Sequence, residues 1–174
     1  MASEHVFLPI RQLGQLIRDK HVSPVELAET FLERLESLGP EYNAVVTVTR
    51  DRAMRQARNA EREILSDQYR GPLHGIPFGA KDIFDTAVIR PAAGSKIWAD
   101  RVPDADAASV AYLKSAGGVL LGKTHTTEFA DGDPAPSRNP WNAGHTAGGS
   151  SPLALLHLCL LRRCSAFMLP LSPS

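Results

Sequence analysis

At 174 residues, with 43% hydrophobic and 22% charged side chains, the chain is long enough for one domain with a real core. Nineteen basic residues balance nineteen acidic ones, so no net field steers it toward nucleic acid or an anionic membrane. A small neutral molecule is the default partner. The amino terminus, "MASEHVFLPIRQLGQ", has neither the basic start nor the unbroken apolar core of a signal peptide, and no run of about 18 apolar residues appears, so a cytoplasmic address is expected.

Taken in chain order, the first sixty-odd residues read as helices. "SPVE" at Ser23–Glu26 combines an N-cap serine, a proline at the first helical position and a glutamate three residues after the cap. Leu27, Ala28, Phe31, Leu35 and Leu38 then recur at helical spacing, with Gly39-Pro40 as the expected stop. "NAVVTVT", Asn43–Thr49, is rich in β-branched residues and reads as a strand, with a buried loop as the alternative. Asp51 is expected to cap a helix that carries Ala53, Ala57, Ala60 and Ile64 on one side.

Three further elements follow: "GIPFGAKDIFD" as a strand, "DADAASVAYLKSAG" as a helix closed by Gly117, and "GVLLGKT" as a strand. Strand, helix, strand at this spacing suggests a parallel α/β layer, and no internal repeat interrupts it. From Asp131 to Ser151 the texture changes to loop, with four glycines and three prolines. A stretch of that length without regular structure is usually functional or disordered.

Two short segments carry possible chemistry. Lys81 follows Ile76, Pro77, Phe78 and Ala80, so an apolar setting is plausible; burial would lower its pKa and let the neutral amine act as a base. The plainer alternative is an exposed strand-end lysine paired with Asp82 or Asp85. "AGGSS", Ala147–Ser151, offers glycines that let backbone N–H groups approach a ligand and hydroxyls that can pass a proton. By itself it reads equally as a flexible turn.

Together, "GPLHGIPFGAKDIFD", "AGSKIWADRVPDADAASVAYLKSAGGVLLGKTHTTEFA", "PSRNPWN" and "AGGSS" resemble the amidase signature family in order and spacing, from about Val22 to Ser151. The resemblance implies an α/β fold with a central mixed sheet flanked by helices, of which residues 1–151 hold the N-terminal part. It implies hydrolysis of carbon–nitrogen amide bonds by a Ser–Ser–Lys triad through an acyl-enzyme. The family lysine matches Lys81, and the bridging serine, which in the family sits in a cis peptide, matches Ser150. Gly148, Gly149, Ser151 and Thr127 fall where substrate-binding or site-shaping residues are expected. No cofactor and no metal are implied.

Other residues in these motifs have plainer readings. His74 is expected to orient its strand rather than to catalyse, and His125 and His145 lack partners at metal-ligand spacing. Thr126, Thr127 and Glu128 resemble residues that shape the site, with capping of a short helix as the simpler account. Arg138, Asn139 and Trp141 are expected to brace the long loop. Cys159 and Cys164 form neither a disulfide framework nor a zinc site, and no role is assigned to them.

After Ser151 the resemblance ends. The family pattern continues with another serine, Gly-Ser, an alanine-rich helix start and a later "GGS" turn bearing the nucleophile; this chain reads "PLALLHLCLLRRCSAFMLPLSPS". Re-reading each codon of Leu153–Leu161 from its last base permits Gly-Ser-Ala-Ala and most of what should follow, so residues 152–174 read as an out-of-frame tail. Ser174 lacks the glycine turn an oxyanion hole needs. The expectations are therefore a chain without the family nucleophile, inactive alone on amides, and a marginal fold with open strand edges. Its full-length parent would act on a small-molecule amide, with no nucleic acid or membrane partner and with homo-oligomers possible. Two alternatives stand beside this. One is the glutaminase component (the A subunit) of a tRNA-dependent amidotransferase, from whose usual "DEFAMGSS"-like run "TTEFADGDPAP" departs. The other is a non-catalytic amide-binding remnant.

Overall fold

The computed structural model describes residues 5–90, 92–132 and 135–151; the segment 152–174, with Cys159, Cys164, Ser174 and the proposed frame change, lies outside them. Helices α1 (Ile10–Arg18) and α2 (Pro24–Tyr42) lead into strand β1 (Val45–Val48) and helix α3 (Arg50–Leu65). Strand β2 (Pro77–Lys81), helix α4 (Ala108–Ser115) and strand β3 (Val119–Thr124) follow, with single 3-10 turns at Lys96–Trp98 and Glu128–Ala130. β3 is central in a three-stranded mixed sheet of order β1-β3-β2, parallel to β2 and antiparallel to β1. The β2–α4–β3 unit is the parallel layer expected from the spacing.

Side-chain alternation divides the core between the two sheet faces. Val119 and Leu121 of β3 and Ile76 before β2 pack with Leu13, Ile17, Leu27, Phe31, Leu32 and Ala57 of α1–α3. Leu120 of β3 and Phe78 and Ala80 of β2 pack instead with Val110 and Leu113 of α4. The sheet thus has helices on both faces, and the C-terminal end of β2 lies at its edge.

Local sequence explains most boundaries. The Ser23 hydroxyl accepts from the backbone N–H groups of Val25 and Glu26 at 3.1 and 3.2 Å, starting α2 as expected. Gly39-Pro40, however, does not stop the helix. Pro40 lies inside α2, and the end falls at Asn43, in the left-handed region with φ 49°. There the N–H groups of Asn43 and Ala44 donate to the carbonyls of Pro40 and Gly39. A proline in the last turn forfeits one helical hydrogen bond and little else, and Asn tolerates the reversed conformation that ends the helix. Likewise Thr49, not Asp51, is the N-cap of α3, and its hydroxyl donates to the Leu120 carbonyl at 2.9 Å; Asp51 sits in the first turn, where the helix dipole favours an acid.

Candidate active site

Lys81 ends β2 and is 1% exposed. Its Nζ donates to Ser150 Oγ at 2.9 Å, across 69 residues of sequence. Burial alone pushes its amine below the ordinary lysine value. The exposed, carboxylate-paired lysine allowed by the sequence is therefore not what forms. Asp85 holds Arg101 in a two-pronged contact, and Asp82 faces Lys123.

That second pair escaped the sequence reading. Along β2, successive side chains leave opposite faces, so Asp82 points away from Lys81. Register pairs Lys81 with Thr124 and Ala80 with Lys123 across the parallel ladder. Lys123 is 0% exposed, with Nζ 3.5 Å from Asp82 Oδ1 and bonded to the Phe84 carbonyl. Asp82 Oδ2 also accepts from the Ala92 N–H at 3.0 Å. Burial pushes the Asp82 carboxyl up and the Lys123 amine down, and each partner opposes the shift of the other. The available signal was Lys123 itself, a charge inside the otherwise apolar "GVLLGKT", which needs a buried partner.

Ser150 is positioned through its backbone. Its carbonyl accepts from the Thr126 hydroxyl at 3.1 Å and the Thr127 N–H at 3.4 Å, so the turn after β3 carries the serine to the end of β2. That turn is held in its own right, because the Phe129 N–H donates to the Ala93 carbonyl at 2.8 Å. Gly148 and Gly149 take φ of 76° and 64°, a region side chains disfavour, and open space faces both. The Gly148 N–H is already used, donating to Thr146 Oγ1 at 3.2 Å. Ser151 follows, half-buried. No cis peptide bond occurs among the described residues, so that part of the family pattern is not met at Ser150.

The remaining residues separate into structural and unplaced roles. His74 is fully buried, accepts at Nδ1 from the Arg70 N–H at 3.1 Å, and has Nε2 3.1 Å from Glu63. A Cβ at Gly117, φ 86°, would meet the His74 ring at 2.2 Å, so ring and glycine together close the turn that brings α4 back to β3. His125 neighbours Asp82, burial pushing its pKa down against that carboxylate, and His145 is exposed. Among the described residues no group of three or more His, Cys, Asp or Glu side chains could hold a metal ion. Thr127 precedes the Glu128–Ala130 turn without a side-chain cap bond, and its buried hydroxyl has no partner, so the capping account fails for it. Arg138 and Asn139 do brace the loop, through Arg138 N–H to Tyr42 O and Asn139 N–H to His145 O. The Trp141 N–H bonds the Asn139 side chain, but its ring is 75% exposed and braces nothing there.

The amidase family model matches residues 26–152. Among curated relatives, the A subunit of glutamyl-tRNA(Gln) amidotransferase from Geobacter sp. (strain M21) is 41% identical over 150 residues, covering 83% of this chain and 31% of that protein. The protein of the same name from Dehalococcoides mccartyi (strain CBDB1) is 41% identical over 152 residues, 84% of this chain and 31% of its own. Among solved structures, the peptide amidase of Stenotrophomonas maltophilia superposes with a TM-score of 0.79 at 31% identity, over 88% of this chain and 34% of that one. A bacterial aryl acylamidase superposes at 0.76 with 27% identity, over 84% and 32%. The chain spans about a third of the length of the relatives it matches. Among the described residues no helix is long and apolar enough to cross a membrane.

Proposed function

The chain belongs to the amidase signature family, and from that premise we propose that it is the N-terminal part of a hydrolase that cleaves a small-molecule amide through an acyl-enzyme. The observation that carries the reading is the 2.9 Å hydrogen bond between the buried amine of Lys81 and the hydroxyl of Ser150. Neutral Lys81 takes the proton of Ser150, Ser150 takes that of a nucleophilic serine supplied by the following segment, and the leaving amine collects the proton on its way out. Thr126 and the Thr127 N–H hold the bridging serine to the lysine. Thr127, Gly148, Gly149 and Ser151 shape the mouth of the site.

The nucleophile has no counterpart in residues 152–174, which we read as an out-of-frame tail. DNA sequence across Ser151 to Ser174 and beyond tests this directly: an intact "GGS" turn in another frame supports it, and a clean in-frame tail overturns it. For function, a frame-restored chain assayed on aliphatic and aromatic amides is expected to turn over at least one class. Inactivity across a broad panel would remove the amidase reading.

A second reading has an observation of its own, the name shared by the curated relatives at about 40% identity: a glutaminase that releases ammonia for a partner enzyme. Against it stands "TTEFADGDPAP", which supplies threonine hydroxyls where the run in those glutaminases carries an acid and small residues. Glutamine hydrolysis and a stable complex of the restored chain with an amidotransferase partner would favour it; turnover of simple amides without association would close it.

A further inference from the structure

The serine–lysine pair is complete within this chain, with no third group required to form it. Lys81 Nζ lies 2.9 Å from Ser150 Oγ, and the amine is sealed from solvent at the end of β2. The charged groups on the neighbouring elements are engaged with one another: Asp82 just after β2 with Lys123 of β3, and His125 beyond β3 with Asp82. Ser150, by contrast, is half-buried, fixed by its own carbonyl, and preceded by two exposed glycines with open space beside them. Its oxygen is thus both bonded to a desolvated amine and within reach of solvent.

We propose that in this chain Ser150 is itself a nucleophile, a serine–lysine dyad that takes one acyl or phosphonyl group from an activated electrophile such as an aryl ester or a fluorophosphonate. The inference rests on the reading of Lys81 as a base and differs from it by placing the bond-forming atom on Ser150. With an aryl ester, Ser150 Oγ attacks the carbonyl carbon and its proton passes to neutral Lys81 Nζ. The tetrahedral intermediate then collapses, the bond to the aryl oxygen breaks, and the phenolate recovers the proton from Lys81. An ester remains on Ser150. With a fluorophosphonate the phosphorus–fluorine bond breaks, fluoride leaves, and the proton is released from Lys81 to solvent. Amides lie outside its reach, because the Gly148 N–H already serves Thr146 Oγ1 and is not free to stabilise an oxyanion.

The 174-residue chain incubated with a fluorophosphonate probe, and separately with p-nitrophenyl acetate, decides this by intact mass and peptide mapping. The expected result is a single adduct at Ser150, absent from Ser150→Ala and from chain unfolded in urea. Its rate of formation rises with pH as Lys81 loses its proton and falls at least about tenfold in both Lys81→Ala and Lys81→Arg, since arginine stays protonated. No adduct, an adduct at another serine, equal labelling in urea, or an unchanged rate in Lys81→Arg each overturns the dyad. The two proposals separate cleanly. Lys81-dependent amide turnover by a frame-restored chain with no label on Ser150 here removes the dyad alone, whereas label here and no turnover there removes the amidase alone.

Discussion

The two halves of this chain are built to different ends. Helices α1–α3 with one face of β3 form a closed unit in which Leu13, Ile17, Ala28, Leu32, Ala53 and Ala57 are wholly buried. The other half, from the end of β2 through the 92–107 and 126–151 segments, is mostly loop and holds the lysine, the serine and the buried ion pair. Its aromatic groups are half out of their packing: Trp98 meets Phe129 edge-on at 5.2 Å beneath the Arg101 guanidinium, beside a cleft of about 480 Å³, while Val88 and Ile97 are 83% and 78% exposed. Folding stability resides in the first half and chemistry in the second. A family member with about three times the length has material to cover that second half, which fits the expectation of open edges on β2 and β1.

The sharpest way to test the division is to remove the base. In a frame-restored chain Lys81→Ala and Lys81→Arg should each lower amide turnover by at least about 10²-fold while the fold survives, measured by kcat and circular dichroism. The same lysine sets a pH dependence of stability with a definite sign. Burial places the folded-state pKa of Lys81 below its ordinary value of 10.5, so the folded chain binds fewer protons between the two. Burying Lys81 therefore costs stability in full below the folded pKa, and the cost is relieved as pH rises toward 10.5. Lys81→Met should be more stable than the parent chain near neutrality, with the gap closing in alkali; a gap that widened with pH would contradict the buried amine.

Next in size are substitutions within the closed half. Leu32→Ala, at a fully buried position of α2, should cost about 2–5 kcal/mol in chemical denaturation, by lost burial and the cavity left behind. Ile97→Ser on the open half should fall within about 0.5 kcal/mol of the parent. Similar costs at both positions would mean that the division does not exist.

Where the sequence was legible, one local signal sufficed. The Ser23 cap, the alanine face of α3 and the paired strands around α4 each follow from periodicity or a single turn of chain, and Lys81 with Ser150 followed from motif order. What was not legible depended on three dimensions. Gly39-Pro40 looked like a stop because local sequence cannot tell the last turn of a helix from the residues beyond it. Asp82 looked like a partner for Lys81 because adjacency hides that strand neighbours point to opposite faces. The Thr126 hydroxyl bond to Ser150, across 24 residues of loop, left no periodic trace.

The smallest expected effect, that of a double variant, is also the most discriminating for the open half. Lys123→Met by itself should destabilise the chain by about 3–5 kcal/mol, because it leaves the Asp82 carboxylate buried and uncompensated. Asp82→Asn combined with Lys123→Met should come close to the parent, since a buried pair replaced by neutral groups of similar size often costs nothing. The side-chain amide oxygen introduced by Asp82→Asn can still accept from the Ala92 N–H, keeping the 92–95 loop against β2. A double-mutant cycle read by denaturation therefore isolates the pair. Near-zero cost in the double variant assigns Asp82 and Lys123 to mutual neutralisation behind the site. If the double variant loses as much as Lys123→Met alone, the bond from Lys123 to the Phe84 carbonyl matters more, and the turn after β2 is what that lysine holds.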